Sequence, residues 1–162
     1  MAEISTTEEK LAEVTGLAQA AQGAIEKVAP MIDDGELSAS LERMKREAQE
    51  TEERCVSLID RRDGRKTAIL EKARETKQEA TEMMETYLGD DSDGLDGLEF
   101  MTMAEAGEVG HWEILGQLSR KGQEKELLEL AEWAIPIQAR HLTEVRSGSL
   151  TLASSQDPHE TS

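Results

Sequence analysis

Aromatic side chains are nearly absent: the 162 residues hold two Trp, one Tyr and one Phe. β-Sandwiches and barrels draw on aromatic and β-branched residues for their half-buried faces, so this scarcity argues against both. Only three prolines interrupt the chain, which leaves room for long unbroken helices. The one cysteine, Cys55, cannot close an internal disulfide and has no second thiol beside it to form a redox or zinc motif. Positive charge is in short supply, with 18 Lys and Arg against 35 Asp and Glu, a net charge of -17. Phosphate contacts need a cationic surface, so nucleic acid is excluded as a partner. No apolar run approaches the ~20 residues that cross a bilayer. The start Met1-Ala2-Glu3-Ile4 also lacks the basic opening of a signal peptide. A soluble, cytoplasmic protein without a membrane partner is expected. Neither a glycine-rich phosphate loop nor a Ser-His-Asp order is found, so kinase and hydrolase chemistry lack support.

What remains is the composition of amphipathic helices, 37% hydrophobic and 33% charged. Ser5, Thr6 and Thr7 ahead of Glu8 and Glu9 form a helix start. Leu11, Val14, Ala18, Ala21, Ile25 and Val28 then recur at helical spacing until Pro30. Asp33-Asp34-Gly35 is a turn, and Leu37, Leu41, Met44, Ala48, Thr51, Cys55 and Leu58 make the seam of a second helix. A third, from Thr67 to Leu88, carries Ile69, Ala73, Thr76, Ala80, Met83 and Tyr87 on one side and charge elsewhere, so it belongs on the outside. That stripe could cover its own bundle or form a homodimer contact. Gly89 to Gly97 is an acidic loop. Its Asp91-Ser92-Asp93-Gly94 resembles the start of a calcium loop but has Gly89 and Phe100 where the end ligands should be, so a helix cap at Asp96 is expected. The spacing predicts helices over about 6–31, 36–61, 65–88, 96–119 and 122–146 in one domain over 1–146. The Ser-, Thr- and Asp-rich stretch 147–162 reads as a disordered tail.

The last two helices place ionisable groups where core side chains belong. Their seams read Met101, Ala104, Glu108, His111, Leu115, Leu118 and Leu127, Ala131, Ala134, Gln138, His141, Val145, with Glu105 beside the first. Glu108 and His111, three apart, are expected to face inward and can share a metal ion. Side chains lean toward their own helix N-terminus, which brings Glu105 and Glu108 to Gln138 better than it brings the two histidines together. Burying such groups unpaired costs several kcal/mol, roughly, so a metal ion or a closed polar network must satisfy them. From the first hairpin, Glu50 is expected to point at the bundle axis, ahead of Gln22, Glu26 and Glu47, with Arg54 able to pair with Glu50, Glu108 or Glu113.

Ala21-Gln22, Val28-Ala29-Pro30-Met31, Glu47-Ala48-Gln49-Glu50-Thr51-Glu52-Glu53-Arg54 and Ala104-Glu105-Ala106-Gly107-Glu108-Val109-Gly110-His111-Trp112-Glu113-Ile114 resemble segments of the small bacterial stress-induced ferritin-like proteins. The similarity runs from about Leu11 to Val145. It implies an all-α fold, a ferritin-like antiparallel four-helix bundle of two hairpins, with an extra helix in the long second-to-third connection. It also implies carboxylates and histidines holding two iron or related ions, with oxygen-dependent oxidation of ferrous ion and a link to metal or oxidative stress. Carried over by position, the first-helix acid falls on Gln22, the second-helix Glu on Glu50 and its His on Arg54, and the third-helix acids on Gly110 and Glu113. Gln22, Arg54 and Gly110 are not ligands, and Gln138 with His141 departs from the family's acidic last helix. Two expectations result. One is iron, manganese or zinc held by Glu50, Glu105, Glu108, His111 and His141. The other is a metal-free scaffold or partner-binding module with a buried Arg, Glu, Gln and His network.

Overall fold

A computed structural model describes residues 2–161, and every regular element among them is helical. The helices are α1 (Thr6–Val28), α2 (Gly35–Ile59), α3 (Lys66–Tyr87), α4 (Gly94–Lys121) and α5 (Lys125–Ser154), with one 3-10 turn, Ala29–Met31, after α1. That turn is what Pro30 makes of the end of the first helix. None of the helices is long and apolar enough to cross a membrane.

Local signals set the boundaries. Ser5 caps α1 in a capping box, its hydroxyl accepting from the Glu8 N–H while Glu8 accepts from the Ser5 N–H. Asp34 caps α2. At α4 the cap is Asp93, not Asp96 as expected; Asp96 is its reciprocal partner three residues on. A capping box uses both aspartates, so the acidic loop has a helix-starting role.

α1 packs on α2, α3 and α4, while α5 packs on α4 and α2. The four bundle helices therefore run around a square in the order α1, α2, α5, α4, and the connection carrying α3 links one diagonal pair. α3 lies on the outer side of α1, where Ile69 and Ala73 are buried. Half of its apolar stripe is thus spent on its own bundle, and Met83 and Tyr87 at the other end are exposed. The close approach of α3 depends on Gly16, where a Cβ would stand 2.3 Å from the Ala73 carbonyl oxygen.

The tail expectation is corrected over 147–154. α5 continues to Ser154, because Val145, Gly148 and Leu152 extend its apolar stripe. Gly148 lies against Leu37 and Leu98, and Leu152 packs on the same cluster.

The core divides in two. One apolar cluster gathers Leu11, Val14, Cys55, Ile59, Trp112, Leu115 and Leu127; the other gathers Ile25, Val28, Leu41, Met44, Leu98, Met101 and Val145. Between them α1 and α2 offer only small buried residues, Ala18, Ala48 and Thr51. Opposite these, α4 and α5 contribute Glu105, Glu108, Gln138 and His141.

Candidate functional site

That middle layer is the candidate site. Glu105 and Glu108 are 2% and 4% exposed, and Gln138 and His141 are 1% and 2% exposed. The Gln138 amide lies between the two acids, its nitrogen donating to Glu108 Oε2 (3.0 Å) and Glu105 Oε2 (3.2 Å). The opposite amide orientation would set its nitrogen against donors. His141 Nδ1 is 3.9 Å from Glu105 Oε2, beyond hydrogen bonding, while Nε2 meets Glu47 Oε1 at 3.1 Å. Glu47 in turn pairs with Arg140, and Arg43 with Glu144, so a line of polar groups runs from the interior to the surface between α2 and α5.

Burial decides the charge states. It pushes the Glu105 carboxyl up to about 8, and burial with the neighbouring Glu105 raises Glu108 well above the carboxylate range. Burial also lowers His141, more than the Glu47 contact raises it. Glu47 behaves oppositely: burial works against its charge, but hydrogen bonds from Arg140 and His141 hold it below the usual range. At neutral pH the layer is therefore a protonated acid pair and a neutral imidazole donating to an ionised Glu47.

Several expected members lie elsewhere. Glu50 does not point at the axis; it is exposed and holds Arg54 at 3.0 Å. At about 100° per residue, Glu50 sits about 130° from the middle of the α2 seam and Glu47 about 70°, which is why Glu47 reaches the interior layer. His111 does not face inward either. Its ring is 38% exposed, Nδ1–H donates to the Gly107 carbonyl at 2.9 Å, and Nε2 is 3.5 Å from Glu13. Trp112, fully buried, takes the inward position, so the α4 seam is Met101, Glu105, Glu108, Trp112, Leu115. Arg54 stacks on Trp133, 4.0 Å from the ring centroid, Gln22 donates to Glu52 at 2.8 Å, and Glu113 is exposed.

The donor set is a poor fit to a metal centre. Among the described residues no group of three or more His, Cys, Asp or Glu side chains is arranged to hold an ion. The amide between Glu105 and Glu108 occupies the bridging position, and His141 turns its Nε2 to Glu47.

A cleft of about 380 Å³ opens on the α1, α3 and α4 side of the same layer, with Glu105 and Glu108 among its lining residues. Its walls are Leu17, Ala20, Ala21 and Ala24 of α1, the second half of α3, and Phe100 to His111 of α4. It exists because α1 is alanine-rich there and α3 beyond Ala73 has no fully buried residue. Sequence periodicity gave no sign of it.

A third buried acid, Glu8, was legible only as a first-turn carboxylate of a helix start. It is 2% exposed and held by Arg65 at 2.7 Å and Arg62 at 3.3 Å, tying the start of α1 to the α2–α3 turn. Burial raises its carboxyl, but the Ser5 N–H and the two arginines more than reverse this, leaving it below the ordinary range.

The chain matches no protein-family model and no curated protein.

Proposed function

We propose that the chain is a ferritin-like bundle acting as a metal-free binding module, its interior closed by a hydrogen-bonded network in the place where relatives of that fold hold metal. The ferritin-like part is supported by two hairpins on a square, joined by one long connection across a diagonal. The observation that carries the metal-free part is the Gln138 amide donating to both buried carboxylates. A neutral amide there gives one hydrogen bond to each of the two protonated acids and adds no charge for a cation to exploit. Arg140 beside Glu47 supplies the cation at the outer end of the network.

Elemental analysis and thermal melting test this. Purified protein is expected to carry no stoichiometric iron, manganese or zinc. Its melting temperature should be unchanged by EDTA and by added Fe(II), Mn(II) or Zn(II). Stoichiometric metal, or a melting temperature that rises with one of these ions, would instead favour metal binding through Glu105, Glu108 and His141.

A further inference from the structure

The cleft has an uncommon combination of walls and floor. Alanines of α1 and the methionines Met83, Met84, Met101 and Met103 make it apolar and adaptable. No Lys or Arg lines it. Gln138 takes one oxygen of Glu105 and one of Glu108. Two nearly buried carboxyls thus border an apolar chamber with acceptor capacity to spare. An anion would bring a charge into an apolar chamber with no Lys or Arg to pair it, and a purely apolar molecule would leave each acid with no partner beyond Gln138. A bulky polycation would not find enough polar wall. A single ammonium on an apolar body satisfies both parts.

We propose that the cleft between α3 and α4 binds a small organic amine with an apolar body, its ammonium group seated against Glu105 and Glu108. The assignment rests on the metal-free interior proposed above, since a metal at the two acids would take the ammonium's place. Binding brings in a positive charge and draws a proton off the acid pair, which burial otherwise keeps protonated at neutral pH. The other titratable groups facing this exchange are Glu79 and His111, also lining the cleft, and His141 behind Glu105, with Glu47 beyond it.

Calorimetric titration of the full chain after EDTA treatment tests the proposal, with octylamine, octanol and octanoate as probes at pH 7 in two buffers of different ionisation heat. Octylamine is expected to bind at one equivalent, at least tenfold tighter than octanol, with proton release, and octanoate not to bind. Ala21→Trp, which fills the cleft, and Glu108→Gln, which keeps the hydrogen-bonding shape, should each weaken octylamine at least tenfold. Equal affinity for octanol, or undiminished amine binding by Ala21→Trp, overturns the proposal; the latter would place the amine on the acidic surface. A melting run with Zn(II) alone separates the failures. A zinc-raised melting temperature overturns the metal-free interior, whereas no zinc effect and no amine binding overturn the amine alone.

Discussion

Buried glutamates at two places give the stability of this protein opposite responses to pH: Glu8 at one end, and Glu105 with Glu108 in the middle layer. Glu105 titrates near 8 in the folded chain against 4.5 for an ordinary Glu. Between those values the folded state holds a proton that the unfolded state has lost, so this contribution to stability declines as pH rises from 4.5 to about 8 and is level above. Glu105→Gln should remove that part of the decline, leaving the part that buried Glu108 contributes, and make the variant more stable at pH 8.5 by on the order of a few kcal/mol, each pKa unit being worth about 1.4 kcal/mol. Glu8 is depressed, so its contribution is present above 4.5 and is lost as pH falls through its lowered value. Glu8→Gln should cost about 1–3 kcal/mol at pH 7 and flatten the acid limb only. Urea midpoints from pH 3 to 9 read both. The sequence marked Glu108, Gln138 and His141 as core positions and set Glu105 beside the seam, but it turned Glu50 and His111 inward, where the structure has them outward. For Glu50 the angle to the seam was available and decisive. For His111 two frames competed, and the volume of Trp112 selected one.

At the level of the helix, seam periodicity was legible wherever large apolar residues marked one face. The α5 seam from Leu127 to Val145 is buried at every predicted position. It failed where small residues carry the contact, as in the 147–154 stretch, whose composition resembles a disordered tail until Gly148 is seen against Leu37 and Leu98. Glycines in one helix therefore have different work. Gly16→Ala drives a Cβ into the α3 backbone and should destabilise by about 1–3 kcal/mol, more than helix propensity returns. Gly23, with nothing within 4 Å of its virtual Cβ, should gain about 0.5–1 kcal/mol on substitution by Ala. Thermal melting of the two variants should move in opposite directions.

Across the whole molecule, two apolar clusters are joined through a polar waist, and both ends of the chain help to close them. Ending the chain after Arg146 removes Gly148 and Leu152 from the second cluster and should lower the unfolding free energy by about 1–3 kcal/mol, whereas ending it after Gln156 should change nothing. Urea titration distinguishes the two truncations. The lone thiol sits in the other cluster, Cys55, fully buried and pushed by that burial up to about 12. An alkylating reagent meets neither an accessible sulfur nor a thiolate until that end of the bundle comes apart. The rate at which iodoacetamide consumes the thiol is therefore a built-in clock for spontaneous opening, readable by mass without any engineered label.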